Sequence, residues 1–238
     1  MFMPMFFDDL YILLVLPTLL LSLWAQFMVK STFAKYSRIS SSRKITGVDA
    51  AAILLKSNNI RDVKIEAVGG TLTDHYSPMD KKLRLSDPVY GSTSIAAIGV
   101  AAHEAGHAIQ HATRWSPLVM RSTLVPVANI GSRLGPILAI AGIFLTGHPS
   151  YNTFSQMLFN IGILLFSGAV LFYLVTLPVE FNASNRALAL LRSNNILSEQ
   201  ELRGAKKVLT AAALTYVASA LTAIASLLRL ILLSRRRR

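Results

Sequence analysis

Leu10 to Met28 reads LYILLVLPTLLLSLWAQFM. No charged side chain interrupts it, and it matches the roughly 20 residues that an α-helix needs to cross a bilayer. In lipid, such a segment satisfies its own backbone only as a helix. The run therefore predicts a membrane span. A secretory leader is the rival reading, but its flanks disagree. Asp8 and Asp9 stand where a leader carries basic residues, and no small-residue cleavage site follows. The segment reads as a retained anchor. Lys30, Lys35, Arg38, Arg43 and Lys44 follow it, and no Lys or Arg precedes it. Positive charge marks the cytoplasmic side of a span. The N-terminus is expected outside and the chain beyond residue 30 inside.

The composition agrees. Hydrophobic residues make up 53% of the 238 and charged residues 15%, against about 25% charged in soluble domains. The net charge is +12, from 24 Lys+Arg against 12 Asp+Glu. In a soluble protein that excess would point to nucleic acid. Beside apolar spans it reads as flanking charge, and no nucleic-acid-binding motif occurs. Membrane lipids are expected partners and nucleic acid is not. There is no cysteine, so disulfides and thiolate ligands are excluded and any metal must be held by nitrogen and oxygen.

The expected architecture is a mainly α membrane protein with three to four apolar helices and a small α/β cytoplasmic region. Residues 1–29 form the anchor, 30–115 the cytoplasmic region, and 116–238 further membrane helices with a polar segment at 178–207. Thr46 with Asp49 forms a capping box that opens a short helix, which Asn58-Asn59 ends. DVKIEAV at 62–68 and KLRLS at 82–86 alternate as half-buried strands do. They are expected to pair antiparallel across Gly69-Gly70. Ser92 to Arg114 reads as a helix.

Residues 117–147 are apolar but broken by Pro117, Arg121, Pro126 and Arg133, with Leu134 to Thr146 their cleanest part. Arg133 either caps a short span from Leu134 or lies inside, beside a polar partner such as Asn129. A short loop is expected at 147–153, then an uncharged apolar run at 154–177. Residues 208–233 are apolar except for Arg229, and Arg235 to Arg238 close the chain. A crossing here would put four arginines outside, against the charge rule. This helix is therefore expected to lie on, or re-enter, the membrane from inside, with its tail on anionic lipids.

The candidate chemistry lies in His-Glu-Ala-Gly-His at 103–107. On a helix, residues four apart share a face, so His103 and His107 can reach one ion while Glu104 activates water. That is the HExxH arrangement of metal-dependent peptide hydrolysis. Catalytic zinc commonly takes three protein ligands. The HExxHxxGxxH solution is absent: Gln110 and Thr113 occupy its glycine and third histidine positions. His111 lies one turn beyond His107, too far along the helix to close a tetrahedral site readily.

A glutamate from a second helix is the other solution, with Glu180, Glu199 and Glu201 as candidates. Glu180 stands out. It follows Pro178 at the end of an apolar run, where a carboxylate is costly without a partner. If 117–147 and 154–177 both cross, Glu180 returns to the face of the membrane that holds the histidines. Glu199 and Glu201 pass that test too, but read as a solvated helix start. A buried polar cluster without metal is the bland alternative.

These blocks resemble the YugP-type membrane zinc peptidases of bacteria. The likeness covers nearly the whole chain: WAQFMVKSTFAKYS, LTDHYSP, SIAAIGVAAHEAGHAIQHA, LVMRSTLVPVANIGS, LPVEFNASNRAL and LTYVASALTAIASLLRLIL. The resemblance implies a membrane-embedded, Zn²⁺-dependent endopeptidase, distantly similar to HtpX-like proteases and the prenyl-protein endopeptidases. It implies a protein or peptide substrate associated with the membrane. It also implies a third ligand on a later helix, at the position of Glu180. Ser77 and Asn182 depart from the family pattern, which carries aspartate at both. Asp74, His75, Asn182 and Ser184 are expected to border the metal, with a simple polar loop pair as the equal alternative for Asp74 and His75. KLRLS is expected to bind substrate by strand addition. A non-catalytic zinc-binding scaffold or chaperone is the alternative function.

Overall fold

The computed structural model describes residues 8–145 and 152–236. Most of the loop expected at 147–153 lies outside them, as do Arg237 and Arg238. A π-helical turn at Tyr11–Val15 leads into α1 (Leu16–Ser37). Then come α2 (Gly47–Ser57), β1 (Lys64–Val68), β2 (His75–Ser77), β3 (Lys82–Ser86), α3 (Asp87–Tyr90), α4 (Ile95–Ala112), α5 (Ser116–Leu145), α6 (Asn152–Ser193) and α7 (Glu199–Arg236). Among the described residues, four helical stretches are long and apolar enough to cross a membrane: Tyr11–Ser37, Ser116–Leu145, Thr153–Ser193 and Glu199–Arg236. Leu20, Leu23, Phe27, Ile137 and Leu164 are exposed along them. Large exposed apolar faces are rare in soluble monomers and ordinary against lipid. The chain is a mainly α protein of membrane type with one small sheet.

Two compact units divide the chain. The first comprises 1–24, 120–177 and 215–238. Within it α5 approaches α6 along small residues. A Cβ added at Gly135 would stand 2.8 Å from the Phe166 nitrogen, and one at Gly142 would stand 2.6 Å from the Phe159 nitrogen. Small residues at such contacts are how helices pack in lipid.

Pro126 and Pro136 lie inside a continuous α5, and Arg133 lies within the helix rather than capping a shorter one. Pro178 likewise lies inside α6, so the apolar run and the Glu180 segment are one helix. Prolines break helices in water but are tolerated where neighbouring helices re-satisfy the freed backbone groups.

In the same unit α7 runs antiparallel to the start of α1. The Ser22 and Thr222 hydroxyls lie 3.4 Å apart. Arg229 donates through Nε to Asp8 Oδ1 at 3.2 Å and packs its guanidinium carbon 5.3 Å from the Tyr11 ring centre. The arginine that interrupts the last apolar run is thus paired. Residues 208–233 all lie within α7, which accompanies the start of α1.

The second unit, 25–119 and 178–214, carries the sheet and α4. Its core gathers Leu54, Leu83, Leu85, Ile98, Leu191 and Ile196, all fully buried. The Thr46–Asp49 capping box opens α2 as expected. The sheet differs from expectation. Its order is β1-β3-β2, with β1 and β3 parallel and β2 antiparallel to β3. The three-residue strand His-Tyr-Ser reverses the chain once more before β3, and it is too short to show alternation. Because β3 is central, KLRLS has no free edge for strand addition; the edges are β1 and β2.

Almost all of α4 is buried. Ser94 caps it, accepting from the Ala97 nitrogen at 3.2 Å. Gly106 sets how closely it meets α6: a Cβ there would stand 2.7 Å from the Ala183 carbonyl oxygen. Gly106→Ala should therefore destabilise the fold by about 1–3 kcal/mol, as overpacking does. This would be read as a lower Tm of the purified chain. Gly91→Ala, where nothing lies within 4 Å, should leave Tm unchanged.

Candidate metal centre

Two helices each contribute a pair of side chains four residues apart. On α4 the pair is His103 and His107; on α6 it is Glu180 and Ser184. Residues so spaced share a face, and the small side of α4 at Gly106 brings the two faces together. Glu180 is 2% exposed and His107 9%.

His103 Nε2 lies 3.1 Å from His107 Nε2 and 3.2 Å from Glu180 Oε2, and His107 Nε2 lies 3.6 Å from the same oxygen. Three donor atoms thus surround one point. Ligand atoms ~2.0–2.1 Å from a tetrahedral zinc stand roughly 3.3 Å from one another, so the spacing fits that ion. Two nitrogens, one oxygen and no sulfur is also the His₂Glu donor set of catalytic zinc. Among the described residues this is the group of three or more such side chains able to hold a metal.

The polar residues behind the histidines orient the rings, and at His107 they set which nitrogen is left for a metal. Gln110 Nε2 donates to the Val179 carbonyl at 2.9 Å and to Asn182 Oδ1 at 3.0 Å. Its amide oxygen must therefore face His107 Nδ1, 3.0 Å away. That nitrogen donates, which leaves the Nε2 lone pair for a metal. On the other histidine, Nδ1 lies 3.1 Å from Ser184 Oγ, which orients the ring with Nε2 towards Glu180.

Burial disfavours the imidazolium at His107, yet its hydrogen bond to Glu180 and the charges of Glu104 and Glu180 outweigh burial and raise its pKa. Proton and metal compete for this nitrogen, so metal affinity should fall with acidity. Glu104 is buried beside the pair.

Asn182 and Ser184 thus touch the histidine supports, Asn182 through Gln110. Asn182 also accepts from Arg186 Nε at 2.8 Å. The family's aspartate would give the same acceptor with a charge opposite that guanidinium. Asp74 and His75, expected at the site, bond elsewhere. Asp74 accepts from the Ser86 nitrogen at 2.7 Å and its hydroxyl at 2.9 Å, tying the loop before β2 to the end of β3. His75 is exposed, with Nδ1 2.8 Å from the Thr73 carbonyl. Ser77 bonds Asp80 in an exposed turn.

His111 pairs with the Tyr76 hydroxyl at 2.8 Å. The pKa of that phenol is pushed up to about 12, by burial and then by Asp62. Glu199 forms a two-pronged pair with Arg192 at 2.6 and 2.9 Å. Glu201 accepts from the Ser198 nitrogen at 2.7 Å. Both match the solvated helix start expected of them.

Gln110 and Arg186 escaped the sequence reading. A buried amide three residues after a candidate ligand, on an otherwise apolar helix face, was the available signal for Gln110. Arg186, four residues after Asn182, carried none. Gln110→Leu should weaken zinc binding about 10–100-fold, as loss of a ligand's support does, measured by competition with a chromogenic chelator. Ser77→Asp should leave it unchanged.

A family model described as "putative neutral zinc metallopeptidase" matches residues 11–235. A relative named "Putative membrane protease YugP", from Bacillus subtilis (strain 168), is 47% identical over 224 residues, covering 94% of this chain and 96% of the relative. No solved structure matches the chain significantly. With the match spanning nearly every described residue, the chain belongs to the putative neutral zinc metallopeptidase family.

Proposed function

We propose that this chain is a membrane-embedded zinc endopeptidase, with His103, His107 and Glu180 as metal ligands and Glu104 as general base. The observation that carries the reading is the mutual approach of the three donor atoms at 3.1 to 3.6 Å, with a spare carboxylate one residue from the first. When bound, Zn²⁺ would polarise the scissile carbonyl and acidify the attacking water. Glu104 takes the proton released by that water and delivers it to the leaving nitrogen. Gln110 holds His107 in the tautomer a metal would need, and Ser184 orients His103. A structural zinc site has no use for such a base, so Glu104 distinguishes an enzyme from a scaffold that only holds zinc.

Substrate is proposed to add to β2, an edge strand with one neighbour in the sheet. Its Tyr76 is bonded to His111, one turn beyond His107 on α4, which keeps that edge against the motif helix. An extended peptide there would gain backbone hydrogen bonds without sequence demands. The membrane assignment draws on the four apolar helices. The excess of Lys and Arg after α1 supports a site on the cytoplasmic side of a bacterial cell membrane. With α5 and α6 both crossing, the two halves of the site meet on that side.

Glu104→Gln should keep full zinc occupancy while peptide cleavage falls about 10²–10⁴-fold, followed with a fluorogenic peptide library. Unchanged cleavage would remove Glu104 as base. No zinc-dependent cleavage by the wild type, with zinc bound, would favour the scaffold. Stripping the metal with a chelator should abolish activity, and stoichiometric Zn²⁺ should restore it.

A further inference from the structure

A second candidate site lies on the other flank of the same unit, between α1 and α7. A hollow of about 590 Å³ is lined by Met28, Thr32, Tyr36, Thr210, Ala211 and Leu214, with Lys35, Arg203, Lys206 and Lys207 around it. The four cations are exposed, and no carboxylate lines the hollow. Among the described residues none of the four has an acidic partner within 4 Å. Glu199 acts electrostatically on Arg203, but like charges gathered with so little counter-charge still repel one another, so the cluster gains from an anion. Glu199, a carboxylate one turn before Arg203 on α7, is already held by Arg192.

The shape is as informative as the charge. Gly204 has no side chain where the Tyr36 ring lies; a Cβ there would come 2.8 Å from that ring. The ring thus settles against α7 and walls the hollow, with the Lys35 ammonium 5.8 Å from its centre. Met28, Ala211 and Leu214 lie towards the apolar runs of the two helices, and the cations lie at the polar ends. One end of the hollow suits a phosphate and the other suits hydrocarbon.

We propose that this hollow binds an anionic phospholipid, its phosphate among Lys35, Arg203, Lys206 and Lys207 and an acyl chain along Met28, Ala211 and Leu214. Basic hollows between membrane helices recognise headgroups in this way. The occupant is a lipid rather than free phosphate because Met28, Ala211 and Leu214 give the lining an apolar side that continues into membrane-type helix. The site shares no residue with the metal centre, so it stands or falls apart from the peptidase reading.

The test is equilibrium binding of fluorescent phosphatidylglycerol to the full chain in neutral detergent, with phosphatidylcholine and inorganic phosphate as competitors. Wild type should bind phosphatidylglycerol roughly tenfold or more tightly than phosphatidylcholine. The triple change Lys35→Gln, Lys206→Gln, Lys207→Gln should remove that preference and leave zinc content intact. The corresponding Lys→Arg triple should keep it. Thr210→Glu, one exposed change within the lining, should weaken binding by itself and gives the same answer if the triple variant fails to fold. Undiminished phosphatidylglycerol binding in these variants would overturn the proposal. So would equal binding of phosphatidylcholine, or displacement by inorganic phosphate at concentrations comparable to those of the lipid.

Discussion

The close approach of α4 to α6 at Gly106 and Ala183 is the constraint on which the metal centre depends. With no side chain at Gly106, the backbone of α6 can stand where a Cβ would otherwise be. That approach puts Glu180 Oε2 within 3.6 Å of both histidines. A helix pair held further apart would leave two histidines facing a void and a buried carboxylate with no cation to offset its desolvation. The HEAGH segment therefore carries two kinds of information: the histidines and glutamate supply the titratable groups, and the glycine sets how closely Glu180 approaches them.

The polar groups behind this contact extend the same logic. Gln110 bridges the two helices, receiving from His107 and donating to Val179 and Asn182. One amide thereby fixes a tautomer on α4 and anchors it to the backbone of α6 beside the third ligand. Buried polar groups are costly unless fully bonded. Gln110 uses its oxygen and nitrogen in three bonds, and its complete burial is thereby stabilised rather than tolerated. The protein places its polar bonds where the helices must hold a fixed geometry and uses small apolar residues where they need only be close.

Much of this was legible in the sequence because it rests on local rules. The capping box at Thr46, the Ser94-capped helix, the shared face of His103 and His107 and the long uncharged runs all follow from spacing within a few residues. Glu180 could be singled out because a carboxylate beside an apolar run needs a partner. What was not legible depended on tertiary context. Pro126 and Arg133 read as breaks, yet α5 runs through both. β2 is too short to alternate, so the parallel pairing of β1 with β3 was hidden. Arg229 looked like an interruption because its partner, Asp8, lies at the far end of the chain. Asp74 and His75 drew attention as titratable neighbours in sequence, but they serve the sheet.

The central claim is that Glu180 completes a metal site begun by two histidines on another helix. Metal analysis of the purified wild type and of Glu180→Ala, after dialysis against a weak chelator, tests it most directly. The account predicts close to one zinc per chain in the wild type and a clear loss in the variant, with helical content unchanged. Equal zinc in both proteins would contradict it.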